Sequence, residues 1–316
     1  MRKIFAIVSI IILSFVSNVK ADYFNLDMEK LFTHTKEETN IDQINKLLLQ
    51  LEEVDKDIKL NPDLDNYYKR GCIYYKLKNY SRALADFNKV IVLDNHGYNG
   101  KAYYYIGYIK YQFELYEQAI KDFDMAIELN LNDYDVYIKR GSAKLQLNLY
   151  EEGLEDINKA LAKNPNDIYS YRQRGIANFR LKKYKESIAD FNKILELDKD
   201  NIFTYLDRAM IYFEIKDYKK FIEDIDKVIK VVPIMSNFYY LRGMAKKELE
   251  LNKEAILDFH KSIEMAAQDN TFSRENISQS YLEIAQIKAY ENLEDALEYF
   301  DKSLEYNPNN LKTLAI

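Results

Sequence analysis

Residues 134–167 read YDVYIKRGSAKLQLNLYEEGLEDINKALAKNPND, and their apolar positions return at helical rather than alternating intervals in two consecutive stretches. Two helices of about a dozen residues each fit such a window once two short turns are allowed. The following window, 168–201, reads IYSYRQRGIANFRLKKYKESIADFNKILELDKDN and registers on the first without a gap. The pattern predicts a chain of helix pairs, each too small to bury its own apolar face and therefore stacked on its neighbours.

A small residue marks every unit: Gly71, Gly107, Gly141, Gly175, Ala209 and Gly243, at intervals of 36 and then 34 residues. A glycine inside a helix costs about 1 kcal/mol in propensity, so its recurrence there points to close helix approach. Ala209 argues against a left-handed backbone at this position and for a small-side-chain contact. Tyrosines flank the mark: Tyr67, Tyr103, Tyr137, Tyr171, Tyr205 and Tyr239 precede it, and Tyr80, Tyr116, Tyr150, Tyr184 and Tyr218 follow. Later in the unit Ala83, Ala119 and Ala255 recur before Phe87, Phe123 and Phe259, with Gly153 and Ile157 in the same two places. Alternating small and large side chains are what a tightly packed helix array requires.

This set of residues resembles the tetratricopeptide repeat, most specifically in Tyr137, Gly141, Tyr150, Ala160 and Pro165 and again in Tyr171, Gly175, Tyr184, Phe191 and Ile194. Tyrosine stands where the family often has tryptophan. The resemblance implies an all-α fold, a right-handed α-solenoid of stacked helix-turn-helix repeats. Seven repeats are expected over 64–311, divided as 64–99, 100–133, 134–167, 168–201, 202–235, 236 to about 276, and a last unit marked by Tyr281, Ala285, Ala296, Phe300 and Pro308. Ala285 lies 42 residues after Gly243, which places a longer connection near 267–279. Ahead of the array, in the segment 22–63, the stretch from Ile41 to Pro62 resembles the second helix of a degenerate opening repeat. The tail 312–316 either packs on the last helices or mediates assembly, a route to a homo-oligomer through a terminal surface.

The first residues change the setting. Arg2 and Lys3 lead an apolar run from Ile4 to Val16, and Val19-Lys20-Ala21 offers a cleavage boundary. Residues 1–21 read as a secretory signal peptide, which predicts an exported, periplasmic or envelope-associated product. The alternative is an uncleaved anchor, and only then is membrane contact expected. Cys72 is the single cysteine, so no intramolecular disulfide is possible. It lies at helical spacing from Tyr68 and Tyr75, which favours packing over reactivity.

The net charge is −6 and falls to −9 without Arg2, Lys3 and Lys20, so nothing draws the chain to nucleic acid. His34, His96 and His260 form neither a metal-ligand pair nor a sequence-defined triad, and DFDMAIELNLND lacks the glycine and spacing of a calcium loop. No enzymatic group and no cofactor is expected. Arg70, Arg140, Arg174, Arg208 and Arg242 precede the small residue, while Asp86, Asp122, Asp156, Asp190, Asp224 and Asp258 mark the second helices. One unit length between copies favours an ion-pair ladder over separate catalytic groups.

The resemblance also implies where a partner would dock: on first-helix positions facing the groove of the array. One row runs Tyr68, Tyr104, Ile138, Arg172, Leu206 and Tyr240, and another Tyr75, Tyr111, Leu145, Phe179, Phe213 and Lys247, with Tyr108 between them. Tyr68, Tyr75, Tyr104, Tyr108, Tyr111, Arg172, Phe179, Phe213 and Tyr240 are the candidate protein-binding residues. The strip is aromatic and aliphatic, unlike the basic, asparagine-rich clamp of the chaperone-binding members. It favours an unidentified protein or peptide, bound as an extended segment or a helix. The expected function is a noncatalytic, exported interaction scaffold. A structural spacer or self-assembling envelope component without peptide recognition is the alternative.

Overall fold

A computed structural model describes residues 41–93, 97–268 and 274–308. The expected signal segment, residues 22–40 and the 312–316 tail lie outside those residues. Helix α1 (Ile41–Leu60) precedes seven pairs: α2 (Leu64–Lys76) with α3 (Tyr80–Leu93), α4 (Asn99–Gln112) with α5 (Tyr116–Glu128), α6 (Tyr134–Gln146) with α7 (Tyr150–Lys163), α8 (Ile168–Arg180) with α9 (Tyr184–Leu197), α10 (Ile202–Glu214) with α11 (Tyr218–Val231), α12 (Ser236–Glu248) with α13 (Asn252–Gln268), and α14 (Arg274–Lys288) with α15 (Leu293–Tyr306). Among the described residues there is no strand, and the fold is an all-α solenoid of helix pairs. Its contacts divide it into two units, one running to Asp190 and the other starting at Phe191.

In the first unit the core forms between consecutive pairs. Phe87 and Val90 of α3 pack with Tyr74 of α2 and with Ala102, Ile106 and Ile109 of α4. Phe123 and Ala126 of α5 then meet Val136 and Ala143 of α6, and Ile157 and Ala160 of α7 meet Ala177 of α8. The second unit repeats the arrangement, with Phe221, Ile225 and Phe259 fully buried and Leu282, Ala285, Ala296 and Phe300 clustered at its end.

The glycine contact takes the expected form. A Cβ on Gly71 would stand 2.9 Å from Cε1 of Phe87, and one on Gly243 would stand 2.9 Å from Cε1 of Phe259. Ala209 is allowed because its pair reverses the usual sizes: Phe221 occupies the place of Ala83 and Ala255, and the smaller Ile225 occupies the place of Phe87 and Phe259.

The ion-pair ladder is present and has two rails. Arg208 donates from Nε and Nη2 to both carboxylate oxygens of Asp224 at 2.7 Å, and Arg70, Arg174 and Arg242 grip Asp86, Asp190 and Asp258 the same way. Each arginine also reaches back through Nη1 to the preceding second helix: Arg140 to Asp124 at 2.6 Å, Arg174 to Asn158 at 2.8 Å, Arg242 to Asp226 at 2.6 Å. Arg70 makes this backward bond to Asp55 of α1 at 2.9 Å. Helix α1 therefore holds the place of a second helix, although none of its residues is buried and Ile41, Leu49 and Leu60 stay exposed. The ladder skips two pairs: Ile106 replaces the arginine on α4, where Lys110 takes Asp122 at 2.6 Å, and Ile284 replaces it on α14.

Six of the seven first helices, all but α14, end in the same reverse turn. Lys78, Glu114, Asn148, Lys182, Lys216 and Glu250 all have φ between 57° and 63°. The next amide in each turn bonds back to the helix, as in Asp217 N to Tyr212 O at 2.8 Å, which is the Schellman arrangement. A left-handed backbone favours glycine there, yet no copy has one. Lys216→Gly is expected to raise stability by about 0.5–1 kcal/mol, read as an upward shift of the urea midpoint with an unchanged slope.

The longer connection expected near 267–279 includes residues 269–273, which lie outside the described residues. On either side of them α13 has 17 residues and α14 has 15. Glu264, Met265, Ala266 and Ala267 are good helix formers, so this stretch continues α13 rather than leaving it.

Candidate interaction surface

The first unit brings together five of the candidate tyrosines on adjacent first helices. Tyr68 and Tyr75 of α2, seven positions apart and so on one helix face, meet the rings of α4. The Tyr75 ring lies 5.3 Å from Tyr105 and 5.8 Å from Tyr108. Tyr108 in turn is parallel to Tyr104 at 6.2 Å and to Tyr111 at 6.3 Å. Tyr105 holds the wall to the core by stacking on Phe87 at 5.0 Å, with 6° between the ring planes. Such pairs contribute about 0.5–1.5 kcal/mol each beyond their area.

The wall continues through a cation. Lys139 Nζ of α6 lies 4.9 Å from the centre of the Tyr108 ring and 4.7 Å from that of Tyr169 on α8. The rows change character here, because Ile138 and Leu145 are buried at 2% and 5% exposure and serve the core. On α8, Arg172 and Phe179 are half-buried, and Phe179 packs 5.8 Å from Tyr184.

Two candidates do not lie on open surface. Tyr111 is 4% exposed and packs edge-on against Tyr116, so it supports the wall from beneath. Tyr240, in the second unit, is 7% exposed and sits 5.7 Å from Phe259. Burial raises its hydroxyl pKa above the ordinary range, and the nearby Glu283 raises it further. Glu283 is itself held by Lys247 at 2.6 Å, so this end of the rows is a buried polar contact between α12 and α14. Phe213, also in the second unit, is half-buried against Phe221 at 5.0 Å.

Between α2, α4 and α6 the first unit opens a cavity of about 180 Å³, lined by Tyr68, Lys101, Tyr104, Tyr105, Leu131, Asp133, Asp135 and Val136. Burial pushes the Tyr105 hydroxyl up to about 12, and it moves Tyr68 and Tyr104 upward as well, so these rings stay neutral at physiological pH. Burial also lifts the Asp135 carboxyl, Lys139 and Tyr134 pull it down, and the like charges of Asp167 and Asp133 raise it. At the rim Tyr98 donates its hydroxyl to Asp65 at 2.9 Å, and the Lys69 ammonium beside Asp65 keeps that carboxyl low.

Tyr105, Lys139, Tyr169 and the two aspartates were absent from the predicted rows. The run Tyr103-Tyr104-Tyr105 is the signal that would have shown a ring turned toward α2 rather than into a row. No group of three or more His, Cys, Asp or Glu side chains suited to a metal occurs among the described residues.

No curated protein matches the chain. Among solved structures, the C-terminal part of a TPR repeat-containing protein from Cytophaga hutchinsonii aligns over 78% of this chain and 98% of its own, at 16% identity and a TM-score of 0.68. A tetratricopeptide repeat protein from Parabacteroides merdae aligns over 80% and 96%, at 18% identity and a TM-score of 0.55. YrrB, described as a TPR protein with an unusual peptide-binding site, aligns over 61% and 96%, at 22% identity and a TM-score of 0.51. At these identities the likeness is one of fold. Tetratricopeptide repeat models match residues 65–96, 138–202, 204–233 and 236–269, together about half of the sequence. With the same helix pairs, glycine contacts and aromatic marks in the structure, the chain belongs to the tetratricopeptide repeat family.

Proposed function

We propose that the protein is an exported, noncatalytic scaffold that receives an extended peptide or partner helix on the tyrosine wall of α2 and α4. Repeats of this family support protein–protein interaction in general, and the packed rings of the wall support docking there. The observation that carries the reading is the set of half-buried rings, Tyr68, Tyr75, Tyr104, Tyr105 and Tyr108, held side by side on consecutive first helices. Neutral phenols fixed by packing present apolar faces and hydrogen-bonding edges at low entropic cost, the combination that interface anchors use. The peptide-binding site named for YrrB belongs to a protein of the same fold and is consistent with such a use. The apolar segment behind Arg2 and Lys3 supports export. No helix among the described residues is long and apolar enough to cross a membrane.

A photo-crosslinker at exposed Lys76, beside Tyr75 on α2, is expected to capture a partner in the envelope only when the chain is expressed with residues 1–21 and exported. Tyr75→Ala with Tyr108→Ala is expected to lower the yield about ten-fold or more while far-UV circular dichroism stays unchanged. Equal capture by the double variant, or from a crosslinker at exposed Lys121 on α5, would remove the wall as the docking face. Self-crosslinks alone would favour the spacer.

A further inference from the structure

We propose that the cavity between α2, α4 and α6 receives one basic side chain, lysine or arginine, of an extended peptide lying on the tyrosine wall. The inference rests on the peptide-docking reading and names the chemistry the peptide must carry.

Size argues first. At about 180 Å³ the cavity is smaller than the roughly 300–1,000 Å³ typical of small-molecule sites. That is room for part of a ligand, the scale of a single long side chain, rather than for a whole small molecule. Its lining then selects the kind of side chain. Tyr68, Tyr104 and Tyr105 supply ring faces, whose negative quadrupole attracts an ammonium or guanidinium. Leu131 and Val136 offer apolar surface to the aliphatic stem, and Asp133 and Asp135 stand at the charged head.

The same wall already uses this interaction within the chain. Lys139 lies over Tyr108 and Tyr169, and Lys101 Nζ lies 5.8 Å from the centre of the Tyr98 ring. An acidic ligand is disfavoured, because it would add a third carboxylate to Asp133 and Asp135 against the one lining cation, Lys101. The burial that lifts Asp135 points the same way: an arriving cation relieves a half-desolvated carboxylate. Lys101 opposes the guest, which gives the proposal a signature of sign.

The test uses the full chain and a random dodecapeptide library displayed on phage. Selected peptides are expected to share a lysine or arginine and to need Tyr75 and Tyr108. By calorimetry, replacing that basic residue with norleucine is expected to weaken binding about ten-fold or more. Asp135→Asn is expected to weaken the parent peptide and to shrink the effect of the norleucine change, leaving the part that Asp133 and the rings supply. Lys101→Met is expected to tighten it several-fold. These two substitutions act on opposite charges, so the Lys101 variant and the norleucine peptide decide the matter even if Asp135→Asn perturbs folding. Peptides that need Tyr75 and Tyr108 but tolerate norleucine would overturn the basic-side-chain assignment and leave the docking face standing. A library without any binder dependent on those tyrosines would overturn both.

Discussion

Arg208→Ala is expected to destabilise the second unit by about 3–5 kcal/mol, among the largest losses from any single substitution in the chain. The arginine is only 16% exposed, and its partner Asp224 is 2% exposed, with both oxygens engaged at 2.7 Å. Alanine would leave a desolvated carboxylate whose remaining cation, Lys227, is 3.7 Å away and half in solvent. It would also remove the backward bond to Asn192 and the contact of the guanidinium with the Tyr205 and Tyr212 rings. Urea unfolding followed by far-UV circular dichroism reads the loss, with tyrosine fluorescence as a second probe for a split transition, since repeat arrays need not unfold in one step.

The same reasoning makes a second substitution partly restorative. Arg208→Met combined with Asp224→Leu removes both charges, and should recover most of what the single change loses. Two other rungs show why. Burial raises the carboxyls of Asp190 and Asp122 despite Arg174 and Lys110 beside them, so desolvation outweighs pairing there. A carboxyl raised in the folded state gives stability below its unfolded pKa and loses it as pH rises through the folded value. These rungs therefore favour register more than they favour stability at neutral pH. The pair at α4 and α5 already tolerates an apolar side chain in the arginine's place, Ile106. If the double variant were no more stable than Arg208→Ala, the ladder would be contributing net stability rather than register.

What the sequence made legible follows its period. Gly71, Gly243 and the arginine-to-aspartate partners recur at one unit length, and a contact made in every unit leaves the same mark in every unit. The backward bonds of the arginines leave a weaker mark, because Asp124, Asn158, Asn192 and Asp226 alternate between two residue types. The left-handed turn leaves almost none: Lys78, Glu114, Asn148 and Lys182 have no side-chain chemistry in common, and glycine, the residue that would have marked it, is absent. The candidate surface was legible only in outline. A row of first-helix positions treats all units alike, whereas burial differs between them: Tyr68 and Tyr75 are half-exposed, while Tyr111 and Tyr240 sit under neighbouring side chains. The cavity depends on what differs between units, since Tyr105 stands where other units have Lys69, Lys139 or Gln173, and Asp135 lines it from the next pair. A period reports what the units share, not where they differ.

Phe87→Ala is expected to cost about 3–5 kcal/mol and to loosen the tyrosine wall with it. Phe87 has no exposed surface, and its ring stacks on Tyr105 at 5.0 Å and meets Tyr68 at 6.1 Å. Losing it opens a void beneath two of the rings that line the cavity, so stability and peptide affinity should fall together. Gly71→Ala alone is also expected to destabilise, by roughly 1–2 kcal/mol, because the new methyl would stand 2.9 Å from Phe87 and the cost of overpacking exceeds the gain in helix propensity. In a chain that already carries Phe87→Ala the sign should reverse. The methyl then enters empty space, and Gly71→Ala should restore about 1 kcal/mol. The α10–α11 pair displays the endpoint of that exchange, with Ala209 facing the smaller Ile225. Phe87→Ile with Gly71→Ala copies it, and should be more stable than Phe87→Ile by itself. A double-mutant cycle at residues 71 and 87, read by urea midpoints, measures the coupling. Additive effects would mean that the small residue repeats for a reason other than the aromatic ring that faces it.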